Sequence, residues 1–245
     1  MNDEHSKDNI FSSPLEDIVD FAFDKSVVDV FPDMINRSVP GYSTIIHLIG
    51  VVAEQYAQPQ TRLYDLGCSL GAASLSMRHH VGAKNCEIIS VDNSKAMIER
   101  LDKILIRDNS QTSVETHCMD MNDIEISNAS VVIMNFTLQF IPLAQRQSIL
   151  EKIYHGLNPG GCMILSEKLA FTNQAENETQ TQLHHAFKKS HGYSDLEISQ
   201  KRSALENVLI PESQETHISR LEQTGFSQVY PIFQCFNFAS FIAVK

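Results

Sequence analysis

The chain has 245 residues, 42% of them hydrophobic, with a formal net charge of −11. That size and apolar content suit one α/β domain with an insertion better than two independent domains, and the acidic balance excludes a broad nucleic-acid footprint, which needs clustered Lys and Arg. No apolar run is long enough to span a bilayer, and five scattered cysteines (Cys68, Cys86, Cys118, Cys162 and Cys235) without CxxC spacing argue against zinc and against a disulfide framework.

Residues 1–13 read as a frayed start, and 1–9 lack the apolar core of a secretion signal. The expected setting is cytoplasmic, with reduced thiols. Residues 11–56 read as a helical and irregular cap rich in Phe and Val, with a turn at Pro40-Gly41. Ser43 is a candidate cap for a helix carrying Ile45, Ile46, Ile49, Val52 and Ala53 at helical spacing.

A regular alternation follows. Residues 61–66 read as a strand and 72–80 as a helix. Residues 86–91 read as a strand and 94–107 as a helix, with Ser94 as its cap. A weaker strand spans 114–118 and a strongly apolar one 129–135. Residues 142–157 read as a helix, ended by Asn158-Pro159-Gly160-Gly161, before a fifth strand at 162–166. Strands alternating with helices predict a mainly parallel, doubly wound sheet. The rhythm breaks after Glu167. Residues 171–209 are polar and helix-compatible, and 215–223 form a helix closed by Gly225. Residues 227–233 and 236–244 are two strands with so short a link that they must pair antiparallel.

The chemistry gathers at strand ends. Leu63-Tyr64-Asp65-Leu66-Gly67-Cys68-Ser69-Leu70-Gly71 reads as a buried strand, a tight turn and a helix start. Gly67 permits the sharp turn, and Gly71 permits close approach of the next helix or of a ligand. Ligands in such sheets bind outside the carboxyl ends of the strands, where strand order reverses. The dinucleotide fingerprint G-x-G-x-x-G is not met, because Ser69 stands where its second Gly lets a pyrophosphate approach. Asp92 ends the second strand, beside Asn93, and can accept from both hydroxyls of a ribose. Asp120, followed by Met121, can face an adenine amino group, and Asn135 ends the fourth strand beside the opening turn. Acidic groups at three strand ends repel phosphates and suit a cationic nucleoside. S-adenosylmethionine has that chemistry.

With these residues in view, the chain resembles the class I methyltransferase superfamily. That resemblance implies an α/β Rossmann-like sheet of seven strands, mostly parallel with an antiparallel C-terminal strand. More narrowly the chain resembles the carboxy-S-adenosyl-L-methionine synthase family. The strings that carry this include Arg37-Ser38-Val39-Pro40-Gly41-Tyr42-Ser43, Asn135-Phe136-Thr137-Leu138-Gln139-Phe140, Leu165-Ser166-Glu167-Lys168, Ser199-Gln200-Lys201-Arg202 and Phe233-Gln234-Cys235-Phe236-Asn237-Phe238. The family organisation implied is one S-adenosylmethionine-binding domain. Its parts are an N-terminal helical cap (1–58), a core (59–168), a helical insertion (169–212) and a C-terminal helix with a strand pair (213–245).

The resemblance implies a transferase that converts S-adenosylmethionine and prephenate to carboxy-S-adenosylmethionine and phenylpyruvate, with no metal. A separate tRNA carboxymethyltransferase would use the product to build 5-oxyacetyl uridine at the wobble position. The nucleoside site would comprise Tyr42, Gly67, Cys68, Ser69, Asp92, Asn93, Asp120, Met121 and Asn135. Arg202 would hold the carboxylate of the product, a role that suits its rigid fork and permanent charge. In the family this Arg can come from the partner of a homodimer. Tyr42 would cover the sulfonium or bond the carboxylate, so Tyr42 and Arg202 are the expected catalytic residues. The alternative is an ordinary S-adenosylmethionine-dependent small-molecule methyltransferase.

Other candidates have weaker roles. Arg37 can read a prephenate carboxylate or pair on the surface, and Lys168 can face substrate. His184-His185 is a poor metal pair, because adjacent helical residues point to different faces. Cys68 reads as a backbone contact rather than a nucleophile. Residues 169–174 lack the early aromatic and acidic residues that the family more often has there.

Overall fold

The computed structural model describes residues 7–15 and 17–245. Two helices precede the sheet, α1 (Lys25–Ser38) and α2 (Tyr42–Tyr56). Then come β1 (Arg62–Leu66), α3 (Ala72–His80), β2 (Glu87–Asp92), α4 (Lys95–Arg107), β3 (Ser113–Cys118), β4 (Ala129–Asn135) and α5 (Leu143–Gly156). The chain continues through β5 (Leu157–Lys168), α6 (Gln174–Ser190), α7 (Asp195–Leu205), α8 (Gln214–Thr224), β6 (Gln228–Cys235) and β7 (Phe238–Val244).

The seven strands lie in the order β3-β2-β1-β4-β5-β7-β6. Strands β1 to β5 pair in parallel, and β7 pairs antiparallel with both β5 and β6. From β1 the chain winds outward through β2 to β3. It then returns to the other side of β1 to lay down β4. The carboxyl ends of β1 and β4 therefore flank the crevice where strand order reverses.

Both faces of the central strands are covered, so those strands are apolar nearly throughout. One face packs Leu63, Ile88, Val131 and Ile133 against Ile45, Ile49 and Ala53 of α2 and Met77 of α3. The other packs Leu66, Val91, Val132 and Leu165 against Ile149, Leu150 and Ile153 of α5 and Leu221 of α8. The two-residue period of a strand sorts successive side chains to these two layers. Each fully buried Leu or Ile contributes about 1.5–3 kcal/mol relative to exposure.

Several local expectations change. The start of the chain is packed for residues 7–13: Asp8 and Phe11 are buried, and residues 1–6 lie outside the described residues. Asp8 owes its position to a Tyr193 hydroxyl and a Lys201 ammonium that it meets from across the fold. Helix α2 is not capped by Ser43. Its cap is Gly41, in the left-handed region at φ 75°, and the helix begins at Tyr42. Asn158–Gly161 does not separate helix from strand as an independent turn. It lies within β5 as an irregularity, because Ala129 pairs with Leu157 while Val131 pairs with Cys162. Ser94 does cap α4, accepting from the Met97 amide at 3.3 Å.

Candidate active site at the carboxyl ends of the strands

The reversal crevice opens into a cavity of about 780 Å³. Its floor is the turn after β1, where Gly67, Cys68 and Ser69 follow Asp65. Gly67 and Ser69 both take left-handed backbone, at φ 77° and 48°. A Cβ on Gly67 would collide with the Thr137 side chain, so this glycine is required by both backbone and space. Gly71 serves packing rather than a ligand: Leu101 of α4 occupies the place a Cβ would take.

The acidic strand ends are held by donors from their own turns. Asp65 accepts from the Ser74 hydroxyl at 2.6 Å and its amide at 3.0 Å, anchoring the start of α3. Burial pushes its pKa up to about 6. Asp92 accepts from the Ser69 amide at 2.9 Å on one oxygen and the Ser94 amide at 2.8 Å on the other. Burial raises its pKa, and those two amides oppose the rise. Each Asp92 oxygen keeps a free lone pair, so two ribose hydroxyls can still donate to it. Asp120 uses one oxygen for the Asn122 amide and side chain, at 2.8 and 2.9 Å. Asn93, Met121 and Asn135 also line the cavity, and the side-chain oxygen of Asn135 is buried without a hydrogen-bond partner.

Tyr42 lines the wall opposite this turn. Its placement follows from the left-handed Gly41 that starts α2. Burial, then the Asp65 charge, raises the pKa of its hydroxyl, so the phenol stays protonated as a donor. Cys68 is buried against Ile98 and Leu101. Burial, then Asp65 and Asp92, raises its thiol well above the ordinary value, which is the reverse of an activated nucleophile.

The remaining wall is cationic and comes from the insertion. Lys168 at the end of β5, Lys188 of α6, and Lys201 and Arg202 of α7 all line the cavity. Arg202 does so from its own chain. Lys201 is already answered: it lies 3.7 Å from the Asp8 carboxylate and donates to the Ser38 hydroxyl at 3.2 Å. Lys168 and Lys188 have no ion-pair or hydrogen-bond partner for their ammonium groups among the described residues. Burial lowers the pKa of Lys168, and burial with the charges of Lys201 and Lys168 brings Lys188 down to about 7.

Two expectations are corrected here. Arg37 is neither a surface ion-pair residue nor a lining residue. It is buried, stacked 3.9 Å from the Tyr193 ring centroid, and donates to the His191 carbonyl, the Asp8 carbonyl and the Asp33 carboxylate. Its work is to bind the start of the chain to the α6–α7 connection. His184 and His185 do not diverge to separate environments, because both line the cavity. Their 100° separation fits within the broad face that α6 presents. His184 Nε2–H donates to the Ser38 carbonyl at 2.8 Å, and burial lowers its pKa to about 3. Among the described residues, no group of three or more His, Cys, Asp or Glu is arranged to hold a metal ion. Leu169, at the start of the loop after β5, is buried against Phe241.

Lys188 was not legible as a site residue. A signal existed: Asn177, Thr181, His184, His185 and Lys188 recur at i, i+4, i+7, i+8 and i+11, a single helix face. All five line the cavity. That stripe is polar, and an apolar stripe is what a core-facing helix ordinarily displays.

Comparison with known proteins places this geometry. A methyltransferase domain model matches residues 63–161, the span from β1 into β5. A carboxy-S-adenosyl-L-methionine synthase of Trichlorobacter lovleyi is 57% identical over 239 residues, 97% of this chain and 98% of that protein. One of Vibrio vulnificus is 55% identical over 245 residues, covering all of both chains. Among solved structures, a putative S-adenosyl-L-methionine-dependent methyltransferase of Methanococcus maripaludis superposes with a TM-score of 0.61 at 19% identity. The match covers 95% of this chain and 97% of that one, and it shows the fold alone.

Proposed function

The chain belongs to the carboxy-S-adenosyl-L-methionine synthase family, and from that premise we propose that it converts S-adenosylmethionine and prephenate to carboxy-S-adenosylmethionine and phenylpyruvate. The observation that carries this reading is the division of charge within one cavity. Asp65, Asp92 and Asp120 line the strand-end side, and Lys168, Lys188, Lys201 and Arg202 line the insertion side. A cationic nucleoside suits the first and a dianionic acid the second. The partnerless Asn135 oxygen is an acceptor that the ammonium of the methionine tail would satisfy.

The chemistry balances with these two reactants. The bond between the prephenate ring and its carboxylate breaks, and its electron pair restores aromaticity as the ring hydroxyl leaves with its own pair as hydroxide. One proton from the sulfonium methyl turns that hydroxide into water. The carbon so exposed bonds to the released carbon dioxide. The chain's tasks are to orient the reactants and keep the trapped carbon dioxide from water. Phe21, Phe23 and Phe140 form an edge-to-face apolar cluster on the cavity wall that serves the second task. Arg202 would receive the transferred carboxylate through its fork. Tyr42 would lie against the sulfonium, where an aromatic face attracts a cation.

Mass spectrometry of products tests the reading. Protein supplied with S-adenosylmethionine and prephenate should yield a nucleoside heavier by one carboxyl group, together with phenylpyruvate. Release of S-adenosylhomocysteine with a methylated acceptor, and no carboxylated nucleoside, would replace it with ordinary methyl transfer.

The same reading carries further parts. The product is a carboxymethyl donor, to be consumed by a separate tRNA carboxymethyltransferase in forming 5-oxyacetyl uridine at the wobble position. The net charge of −11 supports leaving direct tRNA binding to that second enzyme. A cytoplasmic setting accords with five free cysteines. No helix among the described residues is long and apolar enough to cross a membrane. A homodimer is also proposed, testable by light scattering.

A further inference from the structure

Lys188 is 7% exposed; among the described residues its ammonium has no hydrogen-bond or ion-pair partner, although the Asp8 and Glu197 charges act on it. Its Nζ lies 5.5 Å from the Tyr193 ring centroid. Lys168 lines the same cavity and is likewise without a partner among the described residues. Lys168 is half-buried and Lys188 buried; taking an ammonium group even partly out of water is costly unless it is paired, and mutual repulsion adds to the cost. A fold keeps such a pair cheaply only where an anion arrives to join it. Arg202 is different. It is exposed in its helix and reaches the cavity from α7, one residue beyond the already paired Lys201.

The cavity is therefore lined by two kinds of cation. Arg202 has the bidentate geometry for a carboxylate that must be held in one orientation. Lys168 and Lys188 approach from β5 and α6 as point charges, with three donors each and no planar demand. His185 lines the same cavity, and burial followed by the charges of Lys188, Arg202, Lys168 and Lys189 lowers its pKa.

We propose that Lys168 and Lys188 form the seat for the substrate carboxylate that is not transferred and remains in the keto-acid product. This rests on the dicarboxylate reading of the site, and it adds a division of labour to that reading. The Lys pair anchors the keto-acid arm, and Arg202 meets the carboxylate that moves to the nucleoside. The seat gives specificity for a dianion, since a monocarboxylate can satisfy only one of the two positions.

The test is binding of phenylpyruvate, which retains only the untransferred carboxylate, to the full chain saturated with S-adenosylhomocysteine. Calorimetry should show that Lys168→Gln and Lys188→Gln each weaken phenylpyruvate at least tenfold, with S-adenosylhomocysteine affinity unchanged. Lys188→Arg, which keeps the charge, should restore most of the loss, and Arg202→Ala should change phenylpyruvate affinity less than threefold. Removing a charge that has no partner among the described residues should leave the melting temperature equal or higher, so both Gln variants should fold. Phenylpyruvate binding equally tight in wild type and both Gln variants, no binding to wild type, or an equal loss in Arg202→Ala would each overturn the seat. Formation of carboxylated nucleoside by wild type without any Lys dependence would sink the seat and keep the reaction. Lys-dependent phenylpyruvate binding without carboxylated product would sink the reaction and keep the seat.

Discussion

Asp92 and Arg202 show how two residues of one cavity can have different energetic standing. Asp92 ties two turns together through the amides of Ser69 and Ser94, so its carboxylate is a structural acceptor before any ligand arrives. In Asp92→Asn one of those amides must face an NH₂ group. The expected cost is about 1–3 kcal/mol of stability, with nucleoside affinity lost as well, measured by denaturant unfolding and calorimetry. Arg202 is exposed and makes no such bond. Arg202→Ala should leave stability within about 0.5 kcal/mol. It should reduce formation or retention of the carboxylated product about ten- to a hundredfold, with S-adenosylmethionine binding nearly unchanged. Mass spectrometry of co-purified nucleoside reads this directly, and equal loss of both ligands would remove the role assigned to Arg202.

At the scale of elements, the end of β5 is built around a buried carboxyl group. Glu167 accepts from the Leu138 amide at 3.0 Å, fastening the short turn after β4 to β5. Burial pushes its pKa from near 4.5 up to about 8; the Arg146 charge on α5 and the amides of Leu138, Gln139 and Thr137 pull the other way. A carboxyl group whose folded pKa is raised binds protons more tightly when folded. Its contribution is therefore complete below about pH 4.5 and is lost as pH rises through about 8. Glu167→Gln keeps an acceptor for Leu138 and cannot ionise. Its melting temperature, followed against pH, should fall less steeply than that of wild type between those limits. Parallel slopes would show that Glu167 does not titrate in that window. Helix α6 illustrates a second rule at this scale: a polar stripe on a half-buried helix marks a face turned to a cavity rather than to a core.

At the scale of the molecule, the start of the chain helps assemble the cationic wall. Asp8 accepts from the Tyr193 hydroxyl, lies 3.7 Å from Lys201, and accepts the Arg37 guanidinium on its carbonyl. Gln200 of α7 reinforces the join, donating to the Phe11 and Ser13 carbonyls at 2.9 Å and accepting from the Leu15 amide at 2.8 Å. These contacts span about 185 residues of sequence and hold α7 over the strand ends. Asp8→Ala removes the acceptor from a buried set of donors, so we expect a loss of about 3–5 kcal/mol in urea unfolding. Where the protein remains folded, turnover should fall, although Asp8 is not a lining residue. A variant as stable as wild type would show that the N-terminal join is dispensable.

The strand alternation, the tight turn at Gly67 and the Ser94 cap were legible in the sequence because each is written in a few neighbouring residues. A two-residue period, a glycine forced to positive φ and a side chain reaching its own helix need no distant partner. The same holds for Asp92, Asp120 and Asn135, which end consecutive strands and so must meet at one edge of a parallel sheet. Asp8, Lys188 and the burial of Arg37 had no such local signature. Their environments depend on which segments are brought across the strand ends, and burial and charge compensation are properties of that packing. The sequence by itself determined the sheet and the acidic strand ends that line the cavity. Only the tertiary structure decided which cations are paired and added Lys188 to them, because the charges come from β5, α6 and α7 and acquire or lack partners only when those elements and the chain's start close together.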